Sequence, residues 1–270
     1  MTKTNKEFVS ALYEGTFSVG SDHSFKPIDK DDDPDKGALK LSLNPFLIKT
    51  SDRVILIDSG AGDFANEPHF PIMQENLAEF GLTEYDVTDI ILSHLHSDHI
   101  GGLAYKENGH FEMSFQDATI HVSGKEWEKM RDADIQDDHL SLFFTYLDTF
   151  GEFNFLDDGD SPLPGITVEE IGGHTEFHLA IFADINDVGY VMAGDVLGTK
   201  GAINRKYAAK YDFDGKQSMK MREYLTKRAY EENRIFMCYH ETYTPLFKLT
   251  SFDNKKGYTT ESVTDYESIR

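Results

Sequence analysis

The most informative part of the sequence is Ser93-His94-Leu95-His96-Ser97-Asp98-His99-Ile100-Gly101-Gly102. It places three histidines and one aspartate within six residues, directly after a predicted buried strand at 87–92. A buried neutral polar group costs roughly 2–7 kcal/mol when nothing satisfies it, and a buried ionised carboxylate costs far more. We therefore expect these side chains to share a partner, and a metal ion is the partner that accepts both residue types.

The spacing of the cluster indicates more than one cation. A two-residue step lets His94 and His96 converge on one ion, while Asp98 and His99 face a neighbouring position. Two ions need roughly six or seven protein ligands, so this loop is short by about three. Three further candidates each follow an apolar strand, namely His174, Asp195 and His240. The lone cysteine can form neither an internal disulfide nor a thiolate-rich metal site, so the ligands must be histidine and carboxylate.

Hydrophobic patterning predicts alternating strands and helices. Two apolar runs, at 41–48 and 54–57, flank a polar turn at 50–53 and predict a hairpin of core strands. Further strands are predicted at 87–92, 118–122, 166–171, 179–184, 190–193 and 235–238, and helices at 71–80, at 124–131, from the Asp137–Asp138 cap to Phe150, and after the Asp214 cap. These strands are too numerous for one open parallel sheet, so we expect two sheets packed inside flanking helices.

Composition excludes several classes of protein. The 270 residues carry 26 Lys+Arg against 48 Asp+Glu, a formal net charge of −22 that repels nucleic acid and anionic membranes. No apolar run of signal-peptide or membrane-spanning length is present, and we expect a cytoplasmic protein with a small-molecule substrate. A single domain over 1–270 is expected, with a weakly ordered polar tail from about 257 to 270. A homodimer is an open alternative to a monomer.

The chain resembles the metallo-β-lactamase fold superfamily of hydrolases. The likeness lies in Ile55-Leu56-Ile57-Asp58-Ser59-Gly60, the cluster at 94–99, Gly173-His174-Thr175, Gly194-Asp195 and His240, in the family's order. It implies an α/β fold, a four-layer αββα sandwich of two mixed β-sheets. It also implies that His94, His96 and His174 hold one metal, that Asp98, His99 and His240 hold a second, and that Asp195 bridges both. Asp58 matches a family aspartate that supports the loop through hydrogen bonds.

The resemblance implies a hydrolase with two divalent cations. Zn²⁺ is the expected metal, and iron and manganese are the alternatives. A metal-bound hydroxide would attack a small-molecule ester, lactone or phosphotriester, and Asp98 would orient it or carry its proton as a catalytic residue. Related lactonases have a tyrosine just after the bridging aspartate, and this chain has Val196-Leu197-Gly198 there. Three alternatives stay open: hydrolysis of a β-lactam or thioester, iron-dependent dioxygenation on the same scaffold, and a non-catalytic binding protein.

Overall fold

The computed structural model describes residues 7–22, 24–65 and 70–263, which form alternating strands and helices. In chain order the strands are β1 (Phe8–Ala11), β2 (Gly15–Val19), β3 (Phe25–Ile28), β4 (Leu39–Leu43), β5 (Phe46–Lys49), β6 (Val54–Ile57), β7 (Asp89–Ile91), β8 (Ala104–Glu107), β9 (His110–Met113), β10 (Thr119–Ser123), β11 (Phe153–Leu156), β12 (Ile166–Glu170), β13 (Leu179–Ile185), β14 (Val188–Met192), β15 (Ile235–Met237), β16 (Leu246–Asp253) and β17 (Gly257–Ser262). The α-helices are α1 (Phe70–Glu79), α2 (Ser97–Ile100), α3 (Gly124–Arg131), α4 (Asp138–Phe150) and α5 (Gly215–Glu231).

Two mixed sheets of six strands form the centre of the molecule. The first has the order β1-β5-β6-β7-β10-β11, and the second has the order β12-β13-β14-β15-β16-β17. Strands β6, β7, β10 and β11 run parallel, as do β14 and β15, whereas the remaining neighbours in these two sheets are antiparallel. A smaller sheet, β3-β2-β4, and the hairpin β8-β9 lie beside them.

Three apolar clusters separate four layers. One cluster lies between the sheets and includes Ile55 and Ile57 of the first and Ile181 and Met192 of the second. Because alternate residues of a strand point to opposite faces, Leu56 instead packs on the outer face with α1, α3 and α4. The outer face of the second sheet is covered by α5. The expected αββα sandwich is therefore confirmed, and its two sheets bring their strand ends to a common edge.

Two of the helices match the sequence prediction closely. Helices α3 and α4 have the predicted bounds, and the Asp137 carboxylate accepts a hydrogen bond from the Leu140 N–H at 2.8 Å, as a helix cap does. The predicted strand at 41–48, by contrast, is two strands. Pro45 has no N–H to continue a ladder, so β4 ends before it and pairs with β2, while β5 begins after it and pairs with β6.

The expectation of a weakly ordered tail is wrong for Gly257–Ser262, which form strand β17. These residues pair with β16 along the edge of the second sheet, after a turn in which the Asp253 carboxylate accepts hydrogen bonds from the Lys255 and Lys256 N–H groups. The cross-strand ladder supplies the order that the polar side chains do not indicate. The part of that prediction at 264–270 lies outside the described residues.

Within the described part of the chain, no helix is long and apolar enough to cross a membrane.

Candidate metal centre

Strand ends from both sheets deliver the seven candidate ligands to one place. His94 follows β7, His174 follows β12, Asp195 follows β14 and His240 follows β15. The one-turn helix α2 then adds Asp98 and His99. His94, His99, His174 and His240 are buried, whereas His96 is exposed. The structure thus brings together all seven residues that the sequence indicated, although they come from four distant segments of the chain.

The first group consists of His94, His96, His174 and Asp195. Nδ1 of His96 lies 3.0 Å from Nε2 of His94 and 3.0 Å from Nε2 of His174. Nε2 of His174 also lies 3.2 Å from Oδ2 of Asp195. Three ring nitrogens and one carboxylate oxygen therefore converge, which is the number and type of ligands that zinc prefers.

The second group consists of Asp98, His99 and His240. Nε2 of His99 and of His240 lie 3.7 and 3.6 Å from Oδ2 of Asp98, and 3.3 and 2.9 Å from Oδ1 of Asp195. Asp195 thus directs Oδ2 to the first group and Oδ1 to the second. This arrangement suits a carboxylate that bridges two cations, the role that the resemblance implies for it.

Hydrogen bonds on the outer sides of the rings determine which nitrogen of each ring faces inward as an acceptor. His99 Nδ1 donates to Asp58 Oδ2 at 2.6 Å, and His240 Nδ1 donates to the Ser42 carbonyl at 3.0 Å. Since a neutral imidazole has one N–H, Nε2 of both rings presents a lone pair to the second group. That group then contains two imidazole lone pairs and carboxylate oxygens, all of them acceptors.

A cation resolves this concentration of acceptors. Nε2 of His99 and Oδ1 of Asp195 are buried and have no hydrogen bond of normal geometry. Burial lowers the pKa of His99, but the charges of Asp58, Asp98 and Asp195 outweigh it and hold that pKa well above its usual range. For His174 the same competition, with Asp195 and Asp212 opposing burial, raises the pKa to about 9. The residues present therefore fit divalent cations, which would take the place of these protons.

Asp58 holds the loop from its outer side. Its carboxylate accepts hydrogen bonds from the Ser93 N–H at 2.7 Å, from the Ser93 hydroxyl at 2.8 Å and from His99. Asp58 is a member of neither group of ligands and contacts His99 from behind, in keeping with the supporting role that the resemblance implies. Gly102 allows this loop to approach closely, because a Cβ there would lie 1.8 Å from the Ser59 carbonyl oxygen.

A cavity of about 290 Å³ opens beside His96 and His174. Its walls are largely apolar and include Leu95, Met130, Phe177, Tyr211 and Phe213. The segment between β14 and α5 supplies Tyr211 and Phe213, and the segment between β12 and β13 supplies Phe177. A larger depression of about 490 Å³ lies at 161–167, at the start of β12. The candidate ligand His174 follows the other end of this strand.

Two carboxyl groups near the ligands escaped the sequence analysis. Glu126, on α3, accepts a hydrogen bond from the Leu95 N–H at 3.2 Å, and burial raises its pKa to about 7. Asp212 lies behind His174, with Oδ1 3.0 Å from Nδ1 of that ring. The sequence gives no periodic or motif signal for either contact, because each joins residues more than 30 positions apart.

A four-layer αββα sandwich with histidines and aspartates gathered at one sheet edge defines a class of metal-dependent enzymes. The family model described as the metallo-beta-lactamase superfamily matches residues 40–240. The chain belongs to this superfamily, and it is one of its metallohydrolases.

Solved structures share the fold over nearly the whole chain. A probable metal-dependent hydrolase from Staphylococcus aureus is 22% identical, with 95% of this chain and 97% of that chain covered at a TM-score of 0.75. AidC, a dizinc quorum-quenching lactonase, is 19% identical, with 96% of this chain and 99% of that chain covered at a TM-score of 0.74. The hydrolase AbOPH is 23% identical, with 95% of this chain and 94% of that chain covered at a TM-score of 0.71. No curated protein sequence matches significantly.

Proposed function

We propose that this chain hydrolyses a small-molecule ester, lactone or phosphotriester with two divalent cations, Zn²⁺ first among them. The observation that carries the proposal is the division of seven side chains into two acceptor-rich groups with Asp195 reaching both. His94, His96 and His174 would hold one ion, Asp98, His99 and His240 the other, and Asp195 would bridge them. When bound, such ions lower the pKa of water towards about 7 and polarise a carbonyl or phosphoryl oxygen.

The protein's own residues prepare the site in two ways. Hydrogen bonds to Asp58, Ser42 and Asp212 hold the rings of His99, His240 and His174 in place, so their orientation needs no adjustment during reaction. The side chain of Asp98 is 12% exposed, and it is the proposed catalytic group. From this position it can hold a proton and pass it to a leaving group.

The neighbouring cavity limits the size of the substrate. Its volume of about 290 Å³ lies at the lower end of the roughly 300–1,000 Å³ range of small-molecule pockets, which suits a small substrate. The mostly apolar wall favours an acyl or aryl group beside the reacting bond. AidC is described in complex with the product N-hexnoyl-L-homoserine, and this supports beginning with lactones.

The test combines metal analysis with rate measurements on the purified full-length protein. We expect about two zinc ions per chain and turnover on at least one substrate from a panel of lactones, esters and phosphotriesters. We expect His96→Ala to lose at least about 10²-fold in rate, because metal affinity or geometry fails without this ligand. His110→Ala is the matched control, since His110 is exposed on the β9 strand and is not among the candidate ligands.

Several outcomes would contradict the proposal. Unchanged turnover in His96→Ala would reject the catalytic assignment, and turnover confined to β-lactams or thioesters would reject the substrate class. A coloured, iron-loaded protein with oxygenase activity would favour the dioxygenase alternative. The cytoplasmic location, the homodimer and the absence of nucleic-acid and membrane partners stay predictions.

A further inference from the structure

A surface turn places one buried carboxylate against the outer side of His174. The side chain of Asp212 is 1% exposed, and its Oδ1 lies 3.0 Å from Nδ1 of His174. Its Oδ2 accepts a hydrogen bond from the Ala209 N–H at 2.8 Å. The backbone N–H of Phe213 donates to the His174 carbonyl at 3.0 Å, and that of Asp214 donates to the Gly173 carbonyl at 2.8 Å. The turn at 209–214 is therefore tied on both sides to the segment that carries His174.

This contact determines the chemistry of the His174 ring. Both oxygens of an ionised Asp212 only accept hydrogen bonds, so Nδ1 of His174 carries the hydrogen and Nε2 is left as the acceptor. Nε2 is the atom that faces His96 and Asp195. A carboxylate behind a metal-binding imidazole fixes the ring and makes its free nitrogen a stronger donor to a cation.

Asp212 supports a histidine of the first group in the way that another carboxylate supports a histidine of the second. In the second group, Asp58 stands behind His99 in the same way, at 2.6 Å. The outer nitrogens of His94 and His240 instead meet the Ser93 hydroxyl and the Ser42 carbonyl, which are uncharged. Each group thus has one histidine supported by a carboxylate. With Asp98 and Asp195, these two carboxylates bring a formal charge of −4, which matches two divalent cations.

We infer that Asp212 is a positioning residue for the first metal position and sets the affinity of that position for its cation. This inference rests on the proposed two-ion centre. Asp195 is the one carboxylate among the four residues of the first group, and in the proposed centre it would share its charge with the second ion. Asp212 adds a second carboxylate directly behind this group.

The test is competition for Zn²⁺ between a chromophoric chelator and the metal-free full-length protein. Asp212→Asn removes the charge and keeps the size of the side chain, and Asp214→Asn is the matched control. Asp214 lies in the same turn and caps α5, where an asparagine also functions, and its carboxylate bonds to backbone N–H groups of the helix. We expect Asp212→Asn to weaken one of two zinc positions about 10- to 100-fold, and Asp214→Asn to leave both positions at wild-type affinity.

Asp212→Ala provides a second variant in case the asparagine prevents folding, which circular dichroism of the metal-free proteins reports. Wild-type affinity at both positions in a folded Asp212 variant would overturn the inference, and so would an equal loss in Asp214→Asn. A wild-type protein that binds no zinc would overturn both the inference and the proposed function. A wild-type protein that binds two zinc ions and hydrolyses nothing in the panel would contradict the proposed function alone.

Discussion

Asp58 controls the orientation of one histidine in each group of ligands. Its φ of +57° is uncommon for a residue other than glycine. The carboxylate contacts His99 directly and accepts a hydrogen bond from the Ser93 hydroxyl, whose oxygen lies 3.0 Å from Nδ1 of His94. Because the Ser93 hydrogen points to Asp58, the serine oxygen accepts from His94 and leaves Nε2 of that ring facing inward. One buried carboxylate therefore fixes rings that belong to different metal positions.

Asp58→Asn tests this dependence without disturbing the backbone, since asparagine adopts positive φ readily. The NH₂ group of the asparagine is a donor, and every group around it also donates. In one orientation it faces the Ser93 N–H, and in the other it faces the His99 Nδ1–H and the Ser93 hydroxyl. Rings forced to exchange their hydrogens would present N–H to the cation, so we expect metal affinity to fall about 10- to 100-fold. Zinc content after dialysis measures this loss, with the exposed Asp184→Asn as control. Two zinc ions retained by dialysed Asp58→Asn would refute the argument.

The candidate ligands could be found from the sequence because their signals are local. His94, His96, Asp98 and His99 lie in one loop, and His174, Asp195 and His240 each follow an apolar strand. Asp212 has no such signal, since the helix start nearby is explained by Asp214 as its cap. Its contact with His174 spans 38 positions and exists only because the turn folds back on the segment that follows β12. Residues that support ligands from behind are thus the part of the site that patterns miss.

At the scale of elements, the short helix α2 is held against the loop that follows β6 by direct backbone contact. The Ser59 N–H donates to the His99 carbonyl at 2.8 Å. A Cβ on Gly101 would lie 2.0 Å from the Ala61 carbonyl oxygen, and one on Gly102 would lie 1.8 Å from that of Ser59. Neither glycine has a positive φ, so their role is to leave space for the opposite backbone. This close approach keeps Asp58 within reach of His99.

Gly102→Ala should therefore separate α2 from the loop. We expect the free energy of unfolding to fall by about 1–3 kcal/mol or more, because a backbone carbonyl cannot move aside as a side chain can. Metal affinity should fall with it as His99 moves away from Asp58. Urea titration of the zinc-loaded and metal-free proteins measures both effects. Gly201→Ala is the control, since the nearest atom to its added Cβ is 3.9 Å away, and equal stability of the two variants would argue against the steric account.

Elements with their own apolar period could be predicted from the sequence, and edge strands could not. Helix α4 buries Phe143, Phe144 and Leu147 at helical spacing between clear caps. Strand β17, with the sequence GYTTES, has no alternation of apolar residues, and its order comes from the ladder with β16. Such a strand is defined by its partner, which local patterns do not contain.

At the scale of the whole molecule, one end of β7 leads to the candidate site and the other end lies in an ionic network. Its carboxyl end leads to Ser93 and the candidate ligands, whereas its first residue, Asp89, lies in a buried ionic network. The Asp89 carboxylate accepts hydrogen bonds from Arg53 at 2.7 Å, from Thr88 at 2.7 Å and from His121 at 2.9 Å. Burial raises its pKa, but the donors His121, Thr88 and Arg53 outweigh this and lower the pKa from 3.8 to about 2. This network stabilises the fold rather than the site.

The sign of the shift predicts how acid acts on the fold. Because the pKa of Asp89 is lower in the folded chain than in the unfolded chain, its contribution to stability is complete above about pH 4. It is lost as the pH falls from about 4 towards 2. A shift from 3.8 to about 2 corresponds to about 2 kcal/mol. Titrating groups outside this network, including the candidate ligands, affect the wild type and an Asp89→Asn variant alike.

The difference between wild type and Asp89→Asn therefore isolates this network. Urea unfolding of the metal-free proteins at pH 6 and pH 2.5 avoids the sequence pI of about 4.7, where a protein of low net charge precipitates. We expect the variant to be about 2 kcal/mol less stable at pH 6 and the gap to narrow by about half or more at pH 2.5. The control Asp52→Asn, at an exposed position, should have the same free energy of unfolding as the wild type at both pH values. A gap that stays constant with pH would mean that Asp89 stabilises the fold through shape and not through its charge.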